Sequence, residues 1–291
     1  MSDDPLLAGV ELGGTKTIAV LARGGAIIDQ LRVATTTPGE TLGAIAAQLA
    51  TWQPAALGIA SFGPVAIARD DPRFGQILAT PKPNWEGTDL IAALAPNVPG
   101  KLSMPVKLST DVIAAALAEG RFGAAQGLTD FVYVTIGTGI GMGIVSGGRA
   151  LTGRLHPEAG HMFVPRVPGD AFAGTCPFHR DCLEGLAAGP AIAARAALEG
   201  RAIRDDDPAW RFVVDALGHA FANLRLTLAC EAIVIGGGVS VARPWLAQAV
   251  AARMDEILAD YLPEPSAVIP AALGPDAGPR GALLLAEEAL G

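Results

Sequence analysis

The stretch VELGGTKTIAVLA, residues 10–22, decides the fold that we predict for this chain. In it an apolar β-type segment ends at Gly13 and Gly14, and a second apolar segment follows at once. A third β-type segment, AIIDQLRVATT at 26–36, comes next. Three such segments joined by tight glycine turns predict an antiparallel β-meander. Alternating helical and strand-like patterns follow as far as Gly120, which is typical of an α/β domain.

The same order of elements begins again in the second half of the chain. The apolar segment DFVYVTIG at 130–137 ends in a glycine-rich turn, and GMGIVSGG at 141–148 follows it. The strand-like segment EAIVIGGG lies at 231–238. Helical patterns surround that segment and cover 188–199, 208–229, 240–260 and 278–290.

This repetition predicts two α/β domains with a cleft between them. We place an N-terminal domain at 1–115 and a C-terminal domain at 116–278, which contains a Cys- and His-rich loop at 156–185. The last helix, at about 279–291, is free to pack back onto the first domain.

Composition limits the possible classes of function. Of 291 residues, 51% are hydrophobic and 17% are charged, so the chain can bury a large core. The net charge is −8 and there is no block of Lys and Arg, which argues against nucleic acid as the main partner. No apolar run reaches the ~18 residues of a membrane helix, and the N-terminus has no basic signal region. We therefore expect a cytoplasmic protein that binds neither nucleic acid nor a membrane.

Two glycine turns have the character of phosphate-binding turns. ELGGTK at 11–16 and TIGTGIGMG at 135–143 occupy matching places in the two halves. Glycine lets a backbone approach a phosphate closely, and successive N–H groups form an anion-binding nest. Neither turn has the P-loop or dinucleotide-binding pattern, and ordinary hairpin glycines are the alternative for either turn taken alone. Lys16 either adds positive charge or points to solvent. The candidate phosphate-binding residues are Gly13, Gly14, Thr15, Lys16, Gly137, Thr138 and Gly139.

A third glycine run lies between a predicted strand and a predicted helix. It consists of Gly236, Gly237 and Gly238. In many α/β folds the sugar or phosphate of a nucleotide meets a helix N-terminus at such a place. We therefore add these three residues to the candidate nucleotide site.

The loop HMFVPRVPGDAFAGTCPFHRDCLEG, residues 161–185, indicates a metal site. His161, Cys176, His179 and Cys182 have the spacing H-x14-C-x2-H-x2-C. Two thiolates and two imidazoles suit tetrahedral Zn²⁺, and four protein ligands leave no open position, so the predicted zinc is structural. The alternative is a pair of unrelated cysteines and two surface histidines. Cys230, in an apolar helix, is interpreted as a buried small hydrophobe.

At this point the motifs resemble those of a known family. GVELGGTK, STDVIAAALAEG, VTIGTGIGMGIV, HPEAGH, the Cys/His loop, CLEGLAAGPA and IVIGGGVS occur in the order expected of the ROK family, and they cover nearly the whole chain. The resemblance implies a two-domain actin-like fold, of the sugar kinase/Hsp70 and ribonuclease H-like type, with an interdomain cleft. SFGPV at 61–65, TPKPNW at 80–85 and CPFHRDCLEG look like the bacterial fructokinase branch.

The resemblance also implies roles for particular residues. Asp111, between a predicted strand and helix, matches the catalytic base of ROK kinases, although a carboxylate there is commonly an N-cap and both roles are compatible. Fructokinases of the family usually carry Asn where this chain has Ile113. The residues assigned to the sugar site are Glu158, His161, Glu184, Gly63, Pro64 and Thr110. A structural zinc would hold this site in shape, and His156 is interpreted as a loop residue.

The predicted activity is ATP-dependent phosphorylation of fructose to fructose 6-phosphate with Mg²⁺. Glucose, mannose or an N-acetylhexosamine is the alternative acceptor. A non-catalytic, sugar-binding regulator is the alternative of a different class. We do not favour it, because ROK repressors carry an N-terminal helix-turn-helix and the first strand of this chain begins near Leu7. The resemblance further implies a homodimer.

Overall fold

The computed structural model describes most of the chain in two compact units. The described residues are 4–95, 104–198, 200–262 and 267–291. The first unit comprises Met1–Ala118, Thr152–His156 and Pro275–Gly291, and the second comprises Glu119–Leu151 and Pro157–Gly274.

The first unit is built on a five-stranded mixed sheet. Its strands are β1 (Leu6–Leu12), β2 (Lys16–Arg23), β3 (Ala26–Ala34), β4 (Ala56–Ser61) and β5 (Val106–Thr110), in the order β3-β2-β1-β4-β5. The antiparallel meander predicted for β1 to β3 is confirmed, and β4 and β5 run parallel to β1. Both faces are covered, because β2 buries Ala19 and Leu21 on one side and Ile18 and Val20 on the other.

Helices cover the two faces of this sheet. They are α1 (Pro38–Trp52), α2 (Leu90–Leu94), α3 (Asp111–Phe122), which continues into the second unit, and α9 (Ala277–Leu290). Helix α9 lies directly on β1 and β4. A Cβ at Gly58 of β4 would overlap the carbonyl oxygen of Ala282, so only glycine allows this close approach.

The second unit repeats the plan with a second five-stranded sheet. Its strands are β6 (Phe131–Ile136), β7 (Ile140–Ser146), β8 (Arg149–Ala150), β9 (Ala232–Gly236) and β10 (Ala267–Pro270), in the order β10-β9-β6-β7-β8. Strands β6 to β8 form an antiparallel meander, and β9 and β10 run parallel to β6. The helices of this unit are α4 (Leu183–Ala187), α5 (Gly189–Ala196), α6 (Ala209–Leu228), α7 (Gly238–Ala242) and α8 (Trp245–Leu258).

Two helix predictions differ from the structure. The single helix predicted at 240–260 is two helices, α7 and α8, and Pro244 lies directly before α8. Proline has no N–H to donate and its ring obstructs a preceding helical turn, so the helix restarts there. The pattern NWEGTDLIAALAP, which opens at Asn84, predicts a helix from its start, but α2 begins only at Leu90. Asp89 caps it by accepting the N–H of Ala92 at 2.9 Å.

The second unit begins with a buried carboxylate. Glu119 of α3 is fully buried, and its oxygens accept the backbone N–H groups of Ala124 at 2.7 Å, Ala272 at 3.1 Å and Leu273 at 2.9 Å. These bonds fasten the segment after β10 to α3.

Among the described residues, no helix combines the length and the apolar character that a membrane crossing requires.

Candidate functional site

Three candidate segments leave the first sheet at the same edge. Leu12 of β1 pairs with Ser61 of β4, and Ser61 pairs with Thr110 of β5. The first glycine turn, the SFGPV loop and Asp111 therefore follow three strand residues that lie in one row. Ligands of open α/β sheets bind beyond the carboxyl ends of parallel strands. The register alone thus brings these segments together.

The first glycine turn is held rigid by backbone and hydroxyl contacts. The N–H of Gly13 donates to the carbonyl of Lys16 at 3.0 Å, which closes the turn. Thr35 donates its N–H to the carbonyl of Thr15 at 3.0 Å and its hydroxyl to the carbonyl of Gly13 at 2.9 Å. Gly14 and Thr15 are exposed, and the position where Gly14 would carry a Cβ is open space. The turn is therefore fixed and accessible to an anion.

Glu11, which the sequence analysis did not single out as a site residue, lies two residues before this turn. Burial raises the pKa of its carboxyl group, and the positive charges of Lys16 and Arg32 partly oppose that rise. Its Oε2 atom is buried and has no hydrogen-bond partner among the residues that the structure describes. A buried carboxylate oxygen without a partner is unusual and suits a cation with its water shell. The only sequence signal for it is its place next to the glycines.

Asp111 is the first residue of α3, and its neighbour does the capping. Thr110 is buried, and its Oγ1 accepts the N–H of Ile113 at 3.2 Å, which is the N-cap contact. The Oδ1 atom of Asp111 accepts the N–H of Val112 at 2.8 Å. The helix N-terminus favours the ionised form of this half-buried carboxylate. Thr110, and not Asp111, therefore makes the N-cap contact of α3.

His156 holds the SFGPV loop. The Gly63–Pro64 peptide bond in this loop is cis, and both residues are half-buried. The N–H of Val65 donates to Nε2 of His156 at 3.1 Å, and His156 is buried. His156 does lie in a loop, as predicted, but it is also a buried acceptor that fixes the SFGPV loop. The contact joins residues 91 positions apart, so sequence spacing gave no signal for it.

In the second unit the four predicted zinc ligands come together. The ligand atoms of His161, Cys176, His179 and Cys182 all lie within 4.8 Å of one another. Nδ1 of His161 lies 3.7 Å from Sγ of Cys176 and 3.5 Å from Sγ of Cys182, and Nδ1 of His179 lies 3.8 Å from Sγ of Cys176. Tetrahedral zinc at usual bond lengths separates neighbouring sulfur and nitrogen ligands by about 3.6 Å. The donor set and its spacing therefore fit zinc.

Glu184 joins the Cys/His loop to the second glycine turn. Its Oε2 atom accepts the N–H of Ile140, directly after the turn, at 3.0 Å, and its Oε1 atom lies 4.0 Å from Nδ1 of His161. The short helical turn Ala159–His161 packs on the same backbone, since a Cβ at Gly160 would overlap the carbonyl of Ile140. The loop and the turn are therefore one contiguous structure.

Glu158 also belongs to this structure. Desolvation by the surrounding protein, and secondarily repulsion from the Glu184 carboxylate, raise the pKa of Glu158 to about 7. The residue as a whole is exposed to solvent, which screens these effects. Its carboxyl group can therefore carry a proton or accept hydrogen bonds near neutral pH.

The second glycine turn meets the third glycine run. The carbonyl of Gly137 accepts the N–H of Gly189, the first residue of α5, at 2.8 Å. Gly237 has a φ of 90° and packs on the backbone of Ile136, just before the turn. The Cβ positions of Gly137 and Gly238 face open space. The backbone at Gly137 and Gly238 therefore has free space beside it.

A buried ion pair attaches the Cys/His loop to α5. Arg195 donates to both carboxylate oxygens of Asp170, at 3.0 and 2.8 Å, and its guanidinium lies 4.2 Å from the ring centre of Phe172. The hydrogen bond from Arg195 lowers the pKa of Asp170 to about 2, with a further contribution from Arg166. This part of the loop is therefore fixed independently of a metal.

Two α/β units of matching topology, each with a glycine turn between its first two strands, are typical of the actin-like fold. The chain belongs to the ROK family, whose model matches residues 7–289. A fructokinase from Pediococcus pentosaceus is 40% identical to it over 294 residues, which are 98% of this chain and 99% of the relative.

Two solved structures have the same fold. A ROK hexokinase from Thermus thermophilus matches with a TM-score of 0.79 and 29% identity over 97% of this chain and 98% of its own. A ROK family glucokinase from Streptomyces griseus, in complex with glucose and AMPPNP, matches with a TM-score of 0.74 and 28% identity. The match covers 97% of this chain and 99% of the glucokinase chain.

Proposed function

We propose that this protein is a fructokinase, which transfers the γ-phosphoryl group of ATP to O6 of fructose. The observation that carries the proposal is the row Leu12, Ser61 and Thr110, from which a phosphate-type turn and Asp111 leave the same sheet edge. The similarity to a fructokinase over nearly the full length of both chains supports fructose as the acceptor.

Asp111 is proposed to act as the general base. Its carboxylate accepts the proton of the attacking hydroxyl while O6 forms its bond to the γ-phosphorus and the bond to the β,γ-bridging oxygen breaks. ADP leaves with that electron pair. Because Thr110 supplies the helix cap, the carboxylate of Asp111 is not required for capping.

The glycine turns are proposed to hold the nucleotide through backbone N–H groups. Gly13, Gly14, Thr15 and Lys16 form one turn, Gly137, Thr138 and Gly139 form the other, and Gly236, Gly237 and Gly238 border the second. Mg²⁺ bound with ATP would neutralise phosphate charge, and Glu11 is the buried carboxylate placed to hold its water shell.

The remaining site residues are proposed to bind the sugar. Carboxylates suit neighbouring hydroxyl pairs, because each carboxylate accepts several hydrogen bonds. Glu158 and Oε1 of Glu184 would accept from hydroxyls. His161, which faces both sulfurs through Nδ1, would orient a hydroxyl through Nε2. We assign Gly63, Pro64 and Thr110 to the same substrate. A structural zinc on the four ligands would supply the folding free energy of their loop.

The homodimer stays a prediction drawn from the family resemblance, and the cytoplasmic location stays a prediction drawn from the apolar pattern and the N-terminal sequence. Light scattering coupled to size-exclusion chromatography tests the first, with a mass twice the 29.6 kDa of the chain expected.

The activity is tested by following ADP release with ATP, Mg²⁺ and one sugar at a time: fructose, mannose, glucose and N-acetylmannosamine. Fructose should give the highest kcat/KM. Asp111→Asn should lower kcat by ~10²–10⁴-fold, the usual contribution of a general base. The control is Glu288→Gln, the same change of carboxylate to amide on an exposed residue of the first unit. Another preferred sugar would refute the fructose assignment, and an active Asp111→Asn protein would refute the base.

A further inference from the structure

The segment TPKPNW at 80–85 has no part in the function proposed so far, although it contacts the first glycine turn. Nζ of Lys82 donates to the carbonyl of Gly14 at 2.5 Å and to the carbonyl of Thr35 at 3.4 Å. Gly14 belongs to the turn, and Thr35 holds the turn through its hydroxyl. The sequence analysis used this segment only as a mark of the fructokinase branch. The structure adds that its lysine lies at the phosphate turn.

The segment is anchored firmly enough to hold this position. Trp85 is fully buried, its Nε1 donates to the carbonyl of Thr36 at 2.9 Å, and its ring meets that of Phe62 edge-on at 5.2 Å. The N–H of Lys82 donates to Oγ1 of Thr80 at 3.3 Å. The buried tryptophan thus anchors the segment, and the two carbonyls of Gly14 and Thr35 hold the ammonium group of Lys82.

The charge of Lys82 is not neutralised by an acid. Within the ranges that the structure describes, Lys82 forms no ion pair with a carboxylate, and its recorded side-chain partners are backbone carbonyls. An ammonium has three donors, so these two carbonyls leave one N–H available. Lys16, the other lysine of the turn, has an acid close by, since its charge acts on the buried carboxyl group of Glu11. Lys82 thus supplies an uncompensated positive charge beside the exposed residues Gly14 and Thr15.

We propose that Lys82 is a further catalytic residue, whose ammonium group binds the phosphoryl group that is being transferred. This inference rests on the proposed kinase function. Phosphoryl transfer is catalysed by positioning and by stabilising charge on the phosphoryl oxygens and on the bridging oxygen of the leaving ADP. The ammonium group of Lys82 donates a hydrogen bond to a γ-phosphoryl oxygen. The two carbonyls hold the ammonium in place before ATP binds, so no reorganisation is needed.

The test compares Lys82→Met, Lys82→Arg and a matched control, Lys107→Met. Lys107 is a half-buried lysine of the same unit, paired with Glu288 and outside the site. Lys82→Met should lower kcat by ~10²–10³-fold, the typical cost of removing one donor to a transition state, with the fructose KM changed less than about threefold. Lys82→Arg keeps the charge and should recover at least tenfold of that loss. Lys107→Met should match the wild type.

A second measurement needs no turnover. Calorimetric titration should show that Lys82→Met binds ADP as the wild type does and binds a non-hydrolysable ATP analogue at least tenfold more weakly, because only the analogue carries the γ-phosphoryl group. If Lys82 merely shapes the turn, both nucleotides weaken equally and arginine gives no recovery, which overturns the proposal. A wild-type protein without sugar-dependent ADP release would instead refute the kinase function, whatever the binding difference.

Discussion

Removing one predicted ligand of the Cys/His cluster should release zinc and, with it, weaken sugar binding. His179→Ala is the most direct substitution for this test. His179 is the exposed member of the cluster, so its truncation leaves no cavity in the core. The observed sulfur–nitrogen distances of 3.5 to 3.8 Å already match a tetrahedral site, so zinc should bind the wild type without rearranging it.

The size of the effect follows from what the loop holds. Mutating residues that only support the metal ligands lowers the affinity for the metal by about 10–100-fold. Losing a ligand itself should therefore lower the zinc affinity by at least ~100-fold, or about 2.7 kcal/mol. A loosened loop then misplaces Glu158 and His161. Losing one hydrogen bond to a charged group costs about 1.5–3 kcal/mol, so the fructose KM should rise roughly 10–150-fold.

The assay measures bound zinc by mass spectrometry and the fructose KM on the same preparations. Phe178→Ala is the control, because Phe178 is an exposed neighbour whose ring centre lies 6.2 Å from that of His179 and which ligates nothing. It should keep both zinc and KM. A zinc-free His179→Ala protein with the fructose KM of the wild type would refute the link between metal and sugar site.

Three further predictions concern the stability of the two units, each followed by urea denaturation. Gly58→Ala should lower the free energy of unfolding by about 3 kcal/mol or more, because its methyl would overlap α9. Gly43→Ala, at an exposed position of α1 with open space, should instead raise it by about 0.5–1 kcal/mol; equal effects would contradict the close packing. Asp170→Asn should lower it by about 2 kcal/mol at pH 7. The folded pKa of Asp170 lies below its unfolded value, so this stability is present above about pH 4 and is lost as pH falls towards about 2. The mutant should show a flatter pH dependence in that window, and a parallel dependence would count against the ion pair. Glu119→Gln should cost about 1–3 kcal/mol, since an amide keeps one acceptor where three N–H groups now bond to a carboxylate; an unchanged transition would show that these bonds are dispensable.

Elements whose contacts join adjacent segments of the chain were predicted well, because the residues that form them are neighbours in the sequence. The meander of β1 to β3 was predictable because its turns are glycine pairs and its strands are adjacent in the chain. Pro244 marks the break between α7 and α8 in the sequence. The helical periodicity on both sides of it nevertheless led to the prediction of a single helix. The parallel pairing of β4 with β1 joins distant segments, and no pattern in either strand specifies it.

The candidate site divides in the same way. The clustering of His161, Cys176, His179 and Cys182 was predictable, because four soft donors within 22 residues have few other uses, and the structure brings them together; that they bind zinc stays a prediction. The roles of His156 and Lys82 were not predictable, since their partners Val65 and Gly14 lie 91 and 68 residues away. Both side chains bond to backbone groups, and such a bond does not require a particular side chain on the partner residue. The attribution of the cap to Thr110 rather than Asp111 depended on a helix boundary, which sequence patterns define to within a few residues.

The placement of α9 on β1 and β4 has a consequence for how the protein is made. The strands that precede Asp111 and the first glycine turn leave the ribosome early, whereas α9, which covers them, is translated after the second unit. At ~5–20 residues per second, the whole second unit is synthesised in between, which takes roughly 10–30 s. During that interval the nascent first unit presents an uncovered apolar groove over Gly9 and Gly58. The second unit consists of Glu119–Leu151 and Pro157–Gly274, which all precede α9, so it can finish folding before α9 is translated.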